Sequence, residues 1–327
     1  GLLRSFVPPV ASIGIGNLSV GGTGKSPIAA FIAGFFSESR NVVFISRGYG
    51  RKTRGYRVAG PEDTPATIGD EPYQIKNTLQ GIKVVVDSNR VRAVKKSLAE
   101  FPETNLIIFD DIFQHRRIRP GLSIMLTDYS RPFFKDYILP AGRLRESRSG
   151  KKRADIIIVT KTPAIFSPIE RRHLLQEIAP SARQEVLFSF LRYTGLIAFG
   201  ANPENVTPVN KLFNKQTFVF AFCGIGNPGP FEDFIRENSS GYHLVKYRDH
   251  HEYATHDIHF LKSTFQSIRS TNKIIITTEK DMVKLRASAL SELIDDLPLF
   301  ALRINPAFHA PDDKNFERLL NEYVGKT

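Results

Sequence analysis

The chain has 327 residues, 41% of them hydrophobic, with 45 Lys and Arg against 33 Asp and Glu for a formal charge of +12 and a sequence pI near 9.7. That apolar content is enough for real cores in one large or two ordinary domains, with two preferred, and the positive balance calls for an anionic partner: nucleic acid, an acidic membrane face or a phosphorylated substrate. Cys223 is the only cysteine, which excludes an intramolecular disulfide and suits a reducing cytoplasm; no run approaches the ~20 apolar residues of a spanning helix, and no cleaved signal peptide is seen.

The first predicted element is a strand over Val10 to Gly16, and a glycine-rich stretch follows it, Ser19-Val20-Gly21-Gly22-Thr23-Gly24-Lys25-Ser26. A buried helix beginning at Pro27 comes next. Glycines let the backbone curl with its N–H groups aimed at phosphate oxygens, and a helix N-terminus favours anions. Gly21, Gly22, Thr23, Gly24, Lys25 and Ser26 are therefore read as a phosphate-binding loop, with Lys25 against the β/γ-phosphates and Ser26 toward Mg²⁺. Ser19 stands where the usual pattern has Gly, and Val20 where a variant class has Lys. A bland Gly-rich turn is the competing reading.

A second strand, Asn41 to Ile45, ends in Ser46-Arg47-Gly48-Tyr49-Gly50-Arg51. Ligands of open α/β sheets gather at the carboxyl ends of strands, so Arg47 is a candidate for substrate or phosphate. Asp70 and Glu71 open a helix running through Tyr73 to Leu79, either as ordinary helix-start carboxylates or with one of them as a general base. Lys83 to Val86 is a strand, and Asp87-Ser88-Asn89-Arg90 opens a helix whose charge is mostly a wet face. The apolar strand Leu106 to Phe109 delivers Asp110 and Asp111 to its end, the Walker B arrangement, where a carboxylate completes a Mg²⁺ site begun by Ser26.

Further strands are expected at Ser123 to Asp128 and Ala154 to Thr160, separated by a basic stretch from Arg143 to Arg153. A helix lies between Pro163 and Pro180, and strands follow at Val186 to Leu191 and Gly195 to Phe199. A new α/β segment starts at Thr217, with Gly224, Gly226 and Gly229 as a weak echo of a dinucleotide fingerprint. Tyr247-Arg248-Asp249-His250-His251 packs titratable groups suited to one catalytic or orienting histidine more than to a zinc site. A buried strand, Lys273 to Thr278, ends in Glu279-Lys280-Asp281. Strands alternating with helices in this way predict α/β architecture: a P-loop NTPase-like, mostly parallel sheet domain over 1–185 and a smaller α/β domain over 186–327.

In order along the chain, Val20-Gly21-Gly22-Thr23-Gly24-Lys25-Ser26-Pro27, Ser46-Arg47-Gly48-Tyr49-Gly50, Gly69-Asp70-Glu71-Pro72, Asp110-Asp111 with Gln114-His115, Leu139-Pro140-Ala141-Gly142 with Leu144-Arg145-Glu146, Asp249-His250-His251 and Thr277-Thr278-Glu279-Lys280-Asp281 resemble the tetraacyldisaccharide 4'-kinase family of lipid A biosynthesis. The resemblance implies MgATP-dependent phosphorylation of the 4'-hydroxyl of a tetraacylated glucosamine disaccharide 1-phosphate at the cytoplasmic face of the Gram-negative inner membrane. It implies two α/β domains joined by a β-ribbon, with the C-terminal domain contributing to a cleft that closes on nucleotide. It also implies a hydrophobic N-terminal membrane helix, and the chain, beginning at Gly1, would start just after it.

Carried over residue by residue, Lys25 and Ser26 serve ATP and Mg²⁺, Asp110 or Asp111 completes the metal site, and Asp70 with His250 is the base for the sugar hydroxyl, His251 being the alternative by one position. Ile112-Phe113 replaces the family's usual Gly-Phe. Arg47, Arg90 and Arg145 are candidates for ATP or substrate phosphates, and Glu71 and Glu146 complete the substrate set. The expected partners are a lipid A disaccharide precursor and an anionic membrane surface. No obligate protein partner is inferred, and no nucleic acid is expected, since no RRM, zinc-finger or helix-turn-helix signature occurs. The competing functions are a P-loop phosphotransferase acting on another sugar or a nucleotide, and a nucleotide-dependent switch.

Overall fold

A computed structural model describes residues 5–201, 205–249, 251–286 and 290–326. The chain divides into two compact units, one comprising Gly1–Arg192 with Pro306–Thr327 and the other Tyr193–Asn305.

The strands of the first unit are β1 (Ala11–Asn17), β2 (Val42–Ser46), β3 (Arg57–Val58), β4 (Lys83–Val86), β5 (Leu106–Phe109), β6 (Leu122–Asp128), β7 (Ile156–Thr160) and most of β8 (Glu185–Ala198). They lie in the order β8-β7-β6-β1-β5-β2-β4-β3, parallel throughout except for β3 against β4. β1, β2, β5 and β7 are buried along their whole length and mostly apolar because both faces are covered. On one face Ile13, Ile15, Leu106, Ile108, Ile124 and Ile158 pack against Ile28, Ala29 and Ile32 of the helix Lys25–Phe36. On the other, Ile45, Ile107, Phe109, Met125 and Val159 meet Ala93 and Val94 of the helix Arg90–Glu100 and Leu174 and Ile178 of the helix Pro168–Ile178.

β1 is the pivot of this sheet. The chain leaves it toward β2 on one side, and β6 pairs with it on the other. Such a reversal of strand order opens a crevice at the carboxyl end of the central strand, which is where a parallel sheet binds ligands.

The second unit contains β9 (Phe218–Cys223), β10 (Gly241–Lys246), β11 (Lys273–Thr278) and most of β12 (Leu299–Phe308), parallel in the order β10-β9-β11-β12. Phe220, Phe222 and Ile275 face Ile258, Leu261 and Phe265 of the helix Thr255–Ser267, while Val219, Ala221 and Ile276 face Phe231 and Ile235 of the helix Gly229–Asn238. The chain passes between the units within β8 and β12.

Two features differ from the sequence expectation. The region from Val186 to Phe199, read as two strands, holds one continuous strand, β8. The last helix, Asp312–Gly325, belongs by its contacts to the first unit, whereas the sequence pattern places the whole of 186–327 in the second domain. Phe316, Leu320 and Val324 enter the core beside Ile13, and the Tyr323 hydroxyl donates to the Ser12 carbonyl at 3.1 Å. At the head of this helix Asp312 takes a two-pronged ion pair from Arg171 at 2.6 and 2.8 Å.

Candidate active site

The glycine-rich loop leaves β1 at Asn17 and enters the helix Lys25–Phe36 with Gly24 at its cap. Gly21 and Gly24 have φ of +102° and +81°, values that an L side chain rarely adopts. A Cβ added at Gly21 or Gly22 would meet nothing within 4 Å, so the loop borders open space. Its other side is anchored to β7: the Thr160 hydroxyl donates to the Thr23 carbonyl at 2.8 Å, and Lys161, ion-paired with Asp128 at 2.8 Å, donates to the Gly22 carbonyl. In a planar trans peptide the N–H points opposite to the carbonyl, so holding the Thr23 carbonyl toward β7 turns the Gly24 N–H away from it. The helix start carries no side-chain cap, leaving its first N–H groups for an anion.

Asn17 ties the loop together. Its amide donates to the Thr23 hydroxyl at 2.7 Å, its backbone carbonyl accepts from Gln114 at 3.0 Å, and its side-chain oxygen accepts from Arg145 and, at 3.5 Å, from Lys25.

The two carboxylates beyond β5 have opposite electrostatics. Asp110 is 3% exposed; one oxygen accepts from the Ser46 hydroxyl at 3.0 Å, and Oδ1 is buried without a hydrogen-bond partner. Burial, then the nearby Glu71 carboxylate, pushes its pKa up to about 7. Burial also acts against the charge of Asp111, but the two-pronged grip of Arg145 at 2.8 and 3.0 Å, with the charges of Lys25, Arg145 and Arg90, holds it down at about 2. Lys25 Nζ lies 3.7 Å from Asp111. Across the loop, the Ser26 hydroxyl donates to Glu71 at 2.5 Å, and Glu71 stands with Asp70 in the first turn of the helix Asp70–Thr78.

A divalent cation fits this donor set. The unpartnered Asp110 oxygen is a hard anionic ligand awaiting a cation, and the Ser26 hydroxyl and Glu71 are further oxygen donors beside the loop. Among the described residues no three His, Cys, Asp or Glu side chains form a self-sufficient metal centre, and a Mg²⁺ that arrives with phosphates needs only one or two protein carboxylates.

The structure thus brings Lys25, Ser26, Glu71, Asp110, Asp111 and Arg145 to the carboxyl ends of β1 and β5. Arg90 stands apart from the wet helix face expected for its neighbours: it is 2% exposed, donates to the Asp87 and Asp110 carbonyls, and burial brings its pKa down to about 10. Arg47 is exposed, and Glu146 is held by Gln114, Arg116 and Arg153 at 3.0, 3.0 and 2.7 Å. His115, beside the carboxylates, is pushed down to about 4 by burial and by Arg90 and Arg47. His250 lies outside the described residues. Its neighbour His251 holds Asp257 at 3.0 Å and stacks on Tyr247, with ring centroids 4.4 Å apart. Sequence reasoning passed over Asn17 and Ser46; the only signal for Asn17 was a polar residue closing an apolar strand directly before the loop.

A glycine loop between a buried parallel strand and a helix, with Lys and Ser at its end and acids on the adjacent strand, is the apparatus of an α/β phosphotransferase that binds nucleotide. The family model described as Tetraacyldisaccharide-1-P 4'-kinase matches residues 1–325. The chain is 39% identical over 291 residues to the tetraacyldisaccharide 4'-kinase of Bacteroides thetaiotaomicron, covering 87% of this chain and 77% of that one, and 38% identical over 327 residues to that of Parabacteroides distasonis, covering 99% and 88%. The solved structure of LpxK from Aquifex aeolicus in complex with ATP superposes with a TM-score of 0.72 at 25% identity, over 98% of this chain and 91% of that one. The chain belongs to the tetraacyldisaccharide 4'-kinase family and is a kinase.

Proposed function

We propose that the chain transfers the γ-phosphoryl group of ATP to the 4'-hydroxyl of a tetraacylated glucosamine disaccharide 1-phosphate, the lipid A precursor, at the cytoplasmic face of the inner membrane. The observation that carries this reading is the convergence of Lys25 and Ser26 with Asp110, Asp111 and Glu71 beside an open glycine loop. Among the described residues no helix is long and apolar enough to cross a membrane.

Phosphoryl transfer asks a protein for positioning and charge neutralisation. The loop N–H groups and Lys25 take the β/γ-phosphates, and Arg145 keeps Asp111 ionised and oriented. Mg²⁺ would be held by Ser26 and Asp110 and would supply neutralisation of phosphate charge. Asp70 removes the proton of the sugar hydroxyl with His250 as its partner. Its chain neighbour Glu71 already hydrogen-bonds the nucleotide loop, and His251 is committed to Asp257, which favours His250 for the role.

The test compares Asp70→Ala and His250→Ala with the wild type, using γ-labelled ATP and the acylated disaccharide. Both variants keep ATP affinity and lose about 10²–10⁴-fold in turnover. Intact turnover in Asp70→Ala removes the base assignment. A deacylated, water-soluble disaccharide phosphorylated as efficiently as the acylated one removes the lipid specificity.

A further inference from the structure

Between β6 and β7 the chain exposes five consecutive apolar residues, Tyr137, Ile138, Leu139, Pro140 and Ala141, the first three at 66%, 51% and 49%. Exposed apolar side chains scattered singly are ordinary, whereas a contiguous run marks a surface that meets something. This run is a firmly built knuckle. Leu139 N–H donates to the Leu144 carbonyl at 2.9 Å, Leu144 N–H to the Tyr137 carbonyl at 2.8 Å, and the Asp136 carboxylate accepts from the N–H groups of Tyr137 and Arg143 at 2.8 and 3.0 Å. Leu144 is buried at its root. These internal hydrogen bonds fix the base of the knuckle, and the apolar side chains are left outside.

The knuckle is also fastened to the nucleotide loop. Val20 N–H donates to the Arg143 carbonyl at 2.8 Å and Arg145 N–H to the Leu18 carbonyl at 2.7 Å, and Val20 is itself 40% exposed. The chain flanking the knuckle carries the exposed cations Arg131, Lys135, Arg143 and Arg148, with the Arg148 guanidinium 5.6 Å from the Tyr137 ring centroid. The acids within this segment are engaged: Asp136 with the knuckle backbone, and Glu146 with Gln114, Arg116 and Arg153.

We propose that this knuckle, with the flanking Arg131, Lys135, Arg143 and Arg148, is the surface on which the protein seats on an anionic lipid layer, delivering an acylated acceptor to the lip of the nucleotide loop. An apolar tip with an aromatic residue at one end, flanked in the chain by exposed Arg and Lys, matches the acyl boundary, the interface and the anionic headgroups in turn. The identity of the acceptor rests on the function proposed above, and lipid seating does not.

The experiment sediments the full chain, without nucleotide or substrate, on vesicles of phosphatidylcholine alone and of phosphatidylcholine mixed with phosphatidylglycerol. The wild type binds the mixed vesicles and is released by salt. Ile138→Asp combined with Leu139→Asp lowers the partition coefficient at least about tenfold. Arg143→Gln with Arg148→Gln lowers it severalfold on the anionic vesicles only. Each variant keeps the wild-type melting temperature and its activity on detergent-dispersed disaccharide. Wild-type protein indifferent to phosphatidylglycerol, or variants binding as well as wild type, overturn the proposal and leave the knuckle to a protein partner. Vesicle binding without phosphorylation in detergent instead removes the proposed function and leaves the seating surface standing.

Discussion

Replacing Asp110 by Asn separates what this carboxylate costs the fold from what it contributes to the chemistry. The group is 3% exposed, its Oδ1 has no hydrogen-bond partner, and burial together with the Glu71 charge raises its pKa from 3.8 to about 7 in the folded state. Well below pH ~4 the carboxyl is protonated in both folded and unfolded chains and contributes no difference. From about 4 to about 7 the unfolded chain sheds its proton while the folded chain keeps it, so stability falls as pH rises. Above about 7 the loss is complete, at most roughly 4 kcal/mol given about 1.4 kcal/mol for each tenfold in proton affinity.

Asp110→Asn keeps an oxygen for the Ser46 hydroxyl and never ionises. Urea unfolding of the protein free of metal and nucleotide should show the variant about 2–4 kcal/mol more stable than wild type near pH 8, the gap closing toward pH ~4. Phosphoryl transfer by the variant should be lost. Stability curves of the two proteins that run parallel across this range would refute the electrostatic account of the site.

Lys25→Ala removes the cation that faces the phosphates and should lower transfer by about 10²–10³-fold with an unchanged unfolding midpoint; a wild-type rate contradicts the loop assignment. Arg145→Lys keeps the charge but not the two-pronged grip on Asp111, so carboxyl NMR should show the Asp111 pKa rising from about 2 toward the ordinary range while turnover falls at least about tenfold. An unmoved Asp111 titration would show that Arg145 acts elsewhere. Phe316 is fully buried among Phe31 and Phe308, at ring-centroid distances of 6.0 and 4.6 Å, so Phe316→Ala should cost about 3–5 kcal/mol in chemical denaturation. A cost under about 1 kcal/mol would remove the last helix from the first unit's core.

The parallel sheet and the glycine-rich loop at the end of its first strand were legible because their signals are local. An apolar run, glycines, Gly24-Lys25-Ser26 and a helix follow one another without a gap, and Leu106 to Phe109 ends in two acids that declare their position. What escaped depends on long-range contacts. Asn17 joins Thr23 and Lys25 of the loop that follows it to Gln114 and Arg145 from two distant segments, and a single asparagine has no spacing by which to announce this. Arg90 reads from the sequence as a phosphate candidate at the head of a basic helix, and only the fold shows that its register turns it inward onto the Asp110 carbonyl. The stripe Phe316, Leu320, Val324 marks a buried face without naming its partner, and that partner proves to be the sheet that begins some three hundred residues earlier. The knuckle at Tyr137 to Ala141 was legible only as motif letters; that its side chains face outward comes from the hydrogen-bond pattern beneath them.

The central claim is tested most directly by ³¹P NMR of the lipid recovered after incubating the purified chain with MgATP and the tetraacylated disaccharide 1-phosphate. The account predicts a second phosphomonoester on the 4'-oxygen, absent when Lys25→Ala replaces the wild type. ATP consumed with the lipid left carrying only its 1-phosphate would contradict it.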